Sequence, residues 1–285
     1  MSSRLFTASL WTATTVVLVF LLLPIAAVFL RVPPGALLDQ LGGDVARDAL
    51  AVTLKTNSIA LALILAFGTP AAYFIATRSF RGRPFVLTLV ELPLVLPPAV
   101  AGIGLLAAFG RAGLLGGELE AVGLSISFTQ IAVVLAVTFV AGPFYVRPAI
   151  AAFESVDPAL PAAARTLGAG PGRTFFRVAL PLAGPGLGAG AALAFARGLG
   201  EFGATIMFAG SLQGVTQTLS LAVYQEFDVN FDAALAISAL LVVISAALLL
   251  SVKLVAGWRS TSAATCSPTA SASRSLSTTT GTPAC

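Results

Sequence analysis

The stretch AAARTLGAGPGRTFFRVALP, residues 162–181, decides how this chain is read. It carries three arginines and three glycines, yet apolar runs long enough to cross a bilayer flank it on both sides. A spanning helix needs about 20 apolar residues, and six such stretches lie at approximately 10–30, 51–77, 86–109, 128–149, 182–207 and 232–256. The quoted segment falls between the fourth and fifth, so it is a connection that a membrane protein places in water.

Composition agrees. The 285 residues are 57% hydrophobic and 10% charged, with mean hydropathy +0.96. A soluble domain carries roughly a quarter charged residues, so the chain cannot clothe itself in a polar surface. Strand-like alternation is missing, which excludes a barrel and predicts an all-α integral membrane protein of six helices. Histidine is absent, removing the commonest general base and metal ligand. Cys266 and Cys285 both fall in the last 26 residues without metal-ligand spacing. An enzyme is not expected, and no cofactor is expected in this chain. The first apolar run is too long for a signal-peptide core and lacks a small-residue cleavage site, so it reads as a retained helix.

Basic residues in the connections set the orientation. With the N-terminus in the cytoplasm, Arg4, Arg78, Arg81, Arg83, Arg147, Arg165, Arg173, Arg177, Lys253 and Arg259 lie inside. Arg31, Arg47 and Arg111 lie outside, together with most of the acid, including Asp39, Asp44, Asp48, Glu118, Glu120, Glu226, Asp228 and Asp232. Both termini are therefore expected in the cytoplasm, and the net charge of +4 is a topology signal rather than a nucleic-acid footprint. The expected organisation is a cytoplasmic N-terminus (1–9), a transmembrane domain (10–257) containing a loop at 150–181, and a tail (258–285). From Ser260 onward, 14 of 26 residues are Ser or Thr, a composition that cannot bury enough surface to fold.

Within the loop, Asp157 is placed to cap a short helix whose first turn accepts Pro158. Leu160, Ala163, Ala164 and Leu167 then share one face, and Gly168 with Gly170 ends the helix. After Pro171-Gly172 a second amphipathic piece carries Arg173, Phe175, Phe176 and Arg177 into Leu180-Pro181. Two readings are open: an interfacial loop resting on anionic lipid, or a dock for a second protein.

The fifth run is also unusual. In ALAFARGLGEFGATIMFAG, residues 192–210, Arg197 and Glu201 stand four apart on what reads as one helix face. Ionisable groups at that depth cost about 2.5–3.5 kcal/mol each, so they face partners or a pathway. Paired across one turn they neutralise each other, as a structural lock or as part of a gate for an anion. Thr205, four residues on, is placed to offer a hydroxyl. Pro97-Pro98 breaks the third run near mid-membrane.

The loop resembles the "EAA" motif of permease subunits in ABC importers: Glu-Ala-Ala, three residues, Gly, nine residues, a branched apolar residue, one more, and Leu-Pro. Ala163 and Ala164 match the alanines, Gly168 the glycine, and Val178, Leu180 and Pro181 the end; Ala162 replaces the glutamate. The resemblance implies a type I importer permease whose loop couples, through Ala163, Ala164, Arg165, Gly168, Leu180 and Pro181, to a separate ATP-binding subunit. That subunit would use ATP and Mg²⁺, since no G-x-x-x-x-G-K-[ST] phosphate loop occurs here. GLGEFGATIMFAG, TLKTNSIALALILAFGTPAAYFIATR (53–78) and ELPLVLPPAVAGIGLL (91–106) resemble the molybdate and tungstate branch, over roughly residues 10–257. The implied assembly is a homodimer in the cytoplasmic (inner) membrane, with an extracytoplasmic molybdate-binding protein. Pro97, Pro98, Arg197, Glu201 and Thr205 are the candidate gate or pathway residues. The rival readings are a sulfate or thiosulfate permease subunit, a stand-alone secondary anion transporter, and an intramembrane enzyme. Inverted repeats and a catalytic constellation, which the last two would need, are not visible.

Overall fold

In the computed structural model the described residues are 3–31, 35, 39–40 and 42–264. They form helices and connecting loops only. These are α1 (Ser3–Arg31), α2 (Asp44–Thr77), α3 (Arg83–Val95), α4 (Pro98–Phe109), α5 (Gly116–Ala121), α6 (Gln130–Glu154) and α7 (Ala159–Thr166). Then come α8 (Pro171–Leu199), α9 (Gly203–Ala209), α10 (Leu219–Val229) and α11 (Phe231–Ala264). Five helices are long and apolar enough to cross a membrane, or six if α3 and α4 count as one broken span. The chain is a multi-pass membrane protein.

The bundle is built around α6, against which α2 and α8 lie. Ala46, Ala49, Val52, Thr53, Thr56, Ala60, Ile64, Gly68, Ala72 and Ile75 form the buried stripe of α2, at the three- and four-residue spacing of one helix face. Between helices in lipid there is little hydrophobic driving force, so close approach of small residues supplies the attraction. Gly68 faces Tyr145 and Val146, Gly186 faces Ala152, and Gly190 sits against Pro148 and the Tyr145 carbonyl. The hydroxyls of Thr69 and Tyr145 share a 2.6 Å hydrogen bond across the α2–α6 seam. By contrast the apolar run of α1 buries none of its residues in the chain.

Three expectations need correction, whereas the third run does break at Pro97-Pro98: α3 and α4 meet at a bend of 112°, with Pro97 extended at the corner and Pro98 opening α4. Pro98 has no N–H to donate and its ring excludes the preceding helical turn. The loop is shorter than 150–181, because α6 runs on to Glu154 and α8 begins at Pro171. Its second amphipathic piece is the start of the fifth span, joined through a π turn at Phe175–Ala179. In that turn the Leu180 N–H reaches the Phe175 carbonyl, a register shift just ahead of Pro181. At its other end the fifth span stops at Leu199 rather than 207. Finally, α11 continues past residue 257 to Ala264; the rest of the Ser/Thr-rich tail, with both cysteines, lies outside the described residues.

Candidate functional site: a loop between spans and a break within one

The loop is a short helix held by backbone chemistry at both ends. Asp157 Oδ1 accepts the Ala159 N–H at 2.9 Å, the expected cap. At the other end the Gly168 N–H reaches the Arg165 carbonyl at 3.0 Å and the Ala169 N–H the Ala164 carbonyl at 3.0 Å. This is the Schellman pattern, which needs a left-handed residue at the position after the cap. Gly168 supplies it with φ +84°, and a Cβ there would meet nothing within 4 Å. Its glycine is required by the backbone, not by crowding.

No residue of α7 is buried. Leu160, Ala163, Arg165 and Gly168 are exposed, Ala164 is half-buried, and Leu167 and Phe176 extend the exposed apolar surface. Beneath α7 lies a cavity of about 310 Å³ whose lining includes Tyr73, Phe153, Glu154, Pro161 and Arg165. The helix is tied to the bundle through its flanks. Tyr73 of α2, Phe153 of α6 and Phe175 of α8 stack at centroid distances of 5.3, 4.8 and 6.2 Å. Half-buried Leu180 joins the core beside them while Pro181 is exposed. Arg83 pairs with Glu154 and donates to the Ile75 carbonyl at 3.1 Å. Both acids near Ala162 are therefore engaged within the chain, Glu154 by Arg83 and Asp157 by the helix cap.

The break in the fifth span is the second feature. Arg197 lies in the last turn of α8 and Glu201 beyond its end, so the two do not share a helix face; their charges still meet, with Nη2 to Oε2 at 2.8 Å. The contact is not aligned as a hydrogen bond, leaving Oε2 without such a partner. Glu201 Oε1 accepts the Ala204 N–H at 2.8 Å, placing negative charge at the start of α9, where helix N–H groups are otherwise unpaired. One carboxylate thus neutralises a cation and starts the next helix. Arg197 also stands 5.9 Å from the Phe144 ring centroid, within cation–π range.

Around the break, polar groups from other helices complete the backbone. Asn57 Nδ2 donates to the Phe195 carbonyl at 3.0 Å, Ser220 Oγ to the Leu199 carbonyl at 3.0 Å, and Thr53 Oγ1 accepts the Leu219 N–H at 2.8 Å. Gly198 leaves room for Asn57 and Val137. On the far side α9 rests on α4: Cβ atoms at Gly203 and Gly102 would lie 2.8 Å from Pro98 Cβ and 2.6 Å from the Ala204 carbonyl oxygen. The break in the third span, expected from Pro97-Pro98, and the break in the fifth, which the sequence reading did not foresee, therefore touch. Thr205 is fully buried and its hydroxyl has no hydrogen-bond partner, so in this conformation it is sealed from any path.

Residues 68–259 match the family described as binding-protein-dependent transport system inner membrane component. The chain belongs to that family. This transport component is similar to the molybdenum transport system permease protein ModB of Mycobacterium tuberculosis, 45% identical over 235 residues covering 82% of this chain and 89% of the relative. ModB of Escherichia coli K12 is 43% identical over 178 residues, 62% of this chain and 78% of that protein. Among solved structures, a chain of a bacterial alginate ABC transporter, in complex with an alginate-bound periplasmic protein, superposes with TM-score 0.69 at 17% identity, over 88% of this chain and 93% of that one; at that identity the likeness concerns fold alone. The chain is a transport subunit rather than an enzyme. Among the described residues no group of three or more His, Cys, Asp or Glu could hold a metal ion.

Sequence reading missed the Asn57–Thr53–Ser220 set, although Thr53, Thr56 and Asn57 recur at helical spacing inside an apolar run. It also missed the partner of Arg147. That residue lies within α6, where its Nε is 2.9 Å from Glu91 Oε1 of α3.

Proposed function

We propose that this chain is the membrane-spanning subunit of an ATP-driven importer of molybdate or tungstate. It works as a homodimer in the cytoplasmic membrane with both termini inside. A separate ATP-binding subunit, using ATP and Mg²⁺, docks at the loop, and an extracytoplasmic binding protein delivers the anion to the opposite end. The observation that carries the coupling role is α7: a helix with no buried residue, fixed at both ends and anchored through Phe153 and Phe175 to the ends of two spans. Such an element is open to a partner on its outer face, and its flanks pass displacement into α6 and α8. The 45% identity to molybdenum permeases supports the choice of anion.

Mechanistically, a dianion cannot enter hydrocarbon, and an always-open pore would dissipate a gradient. Closure of the ATP-binding subunits draws the two α7 helices together, and the touching breaks at Pro97-Pro98 and Gly200–Gly203 are where the spans yield. Arg197 and Glu201 sit at that joint as its charged element. The test is uptake of labelled molybdate into proteoliposomes holding the assembled complex. ATP- and binding-protein-dependent uptake that resists excess sulfate is expected. Uptake that continues without ATP or binding protein points instead to a secondary transporter, and competition by sulfate to a sulfate permease.

A further inference from the structure

The Glu91–Arg147 pair sits where a charge pair is costly. Arg83 of α3 and Glu154 of α6 pair at the loop end of the bundle. Counting from there, Glu91 is eight residues along α3 and Arg147 seven residues back along α6. At 1.5 Å per residue both lie about 10–12 Å along their helices from that end, inside segments apolar enough to cross a membrane. Yet the pair is open: the side chains are 53% and 37% exposed for Arg147 and Glu91. A half-exposed ion pair at that depth must face water, a partner or a path rather than lipid tails.

Snorkelling to headgroups does not account for it. Side chains on a helix lean toward its N-terminus, so Arg147 leans toward Gln130 and mid-span, away from the nearer Glu154 end. There it meets Glu91 rather than interface. Moreover, Arg147 follows Phe144 by three residues, one turn along the same face of α6. Phe144 is the ring beneath the Arg197 guanidinium. Phe144 therefore links the two arginines, Arg197 by contact and Arg147 by helical spacing, Arg197 with its acid buried and Arg147 with its acid open.

We propose that Arg147 is an anion-contacting residue of the translocation path, the second cation that an oxyanion meets after Arg197, with Glu91 as the counter-ion it exchanges for the substrate. This rests on the reading of the chain as an oxyanion importer. Glu91 keeps the site neutral when empty, and a tetrahedral dianion, with more charge and more acceptor oxygens than a carboxylate, competes for the guanidinium fork. Glu91 remaining nearby keeps the site weak, so the anion can leave.

The experiment compares wild type, Glu91→Gln/Arg147→Gln and Arg147→Lys in the assembled complex, reconstituted in proteoliposomes. Measured are maximal molybdate uptake, ATP hydrolysis stimulated by the binding protein, and assembly by size-exclusion in detergent. The double variant keeps two amides of similar reach that can hydrogen-bond to each other, so a merely structural pair is replaced without loss. Expected is at least a tenfold fall in maximal uptake for the double variant, with assembly and stimulated hydrolysis retained, and substantial recovery in Arg147→Lys. Wild-type uptake in the double variant overturns the proposal, as does equal loss in Arg147→Lys, which places the role in guanidinium packing. Disassembly of the double variant also overturns it, because the pair is then a structural tie. If wild type itself takes up no molybdate, the importer reading fails instead.

Discussion

Replacing Gly168 separates what the backbone needs from what a partner needs. Its φ is +84°, where an L-residue suffers roughly 1–2 kcal/mol of steric cost, while a Cβ would meet no atom within 4 Å. Gly168→Ala therefore adds strain and no clash. If the Schellman end must form for docking, the competent population falls by about 5- to 30-fold. Gly168→Asn should fall less, because asparagine enters the left-handed region more readily. Gly168→Trp has the strain of alanine and adds a ring at an exposed site whose Cβ would meet no atom within 4 Å, so a loss beyond alanine is read as intermolecular. The assay is co-purification of the ATP-binding subunit in detergent over a concentration series, giving an apparent Kd for each variant. The expected order of affinity is Gly, Asn, Ala, Trp. Equal affinity in the alanine and tryptophan variants would refute the idea that a partner covers this helix end; unchanged affinity in all three would refute the backbone argument too.

Three further outcomes follow from the breaks. Gly203→Val puts a Cβ 2.8 Å from Pro98 Cβ and 3.1 Å from the Ala99 nitrogen, so thermal unfolding in detergent should show a loss of about 1–3 kcal/mol for overpacking; an unchanged melting temperature would mean that α4 and α9 separate freely. Asn57→Leu removes the donor to the Phe195 carbonyl and should cost about 1–3 kcal/mol for a buried group left unpaired, read by the same melt. Glu201→Gln keeps an acceptor for the Ala204 N–H but drops the charge opposite Arg197, whereas Glu201→Ala loses both. The glutamine form should assemble and the alanine form should not; alanine assembling as well as glutamine would show that the start of α9 needs no cap.

Much of this was legible in the sequence because lipid imposes simple rules. Six apolar runs, a capped loop helix and a glycine stop are local patterns, and Asp157, Gly168 and Pro98 act where their chemistry places them. What was not legible depended on distant partners. Pro97-Pro98 announces a break, but the bend of 112° accompanies the seating of α9, more than a hundred residues further along the chain, on Gly102. The four-residue spacing of Arg197 and Glu201 reads as one helix turn, and the charges do meet, yet the helix ends at Leu199 and the chain leaves it between them. The Glu91–Arg147 pair was not legible because the end of α6 was set at 149 instead of Glu154. Five residues are about 7.5 Å of helix, so Arg147 read as the edge of a span rather than part of its length.

On the proposed coupling role, one ion pair gives motion at the loop a route to the breaks. Arg83–Glu154 joins α3 to α6 at the loop end of both helices. Glu154 is also the last residue of α6 before the loop, and Phe153 stacks on Tyr73 and Phe175. A pull on α7 therefore acts on α6 at the point where α3 is fastened. Since α3 leads into the bend at Leu96–Pro98, its displacement arrives at the surface where α4 meets α9. On that reading the coupling requires no long-range wire, only rigid helices sharing one aromatic anchor and one charge tie. Cutting that tie with Arg83→Gln should therefore uncouple ATP hydrolysis from uptake while leaving the ATP-binding subunit attached, measured as molybdate imported per ATP hydrolysed. An unchanged ratio would mean that α3 follows α6 through packing alone.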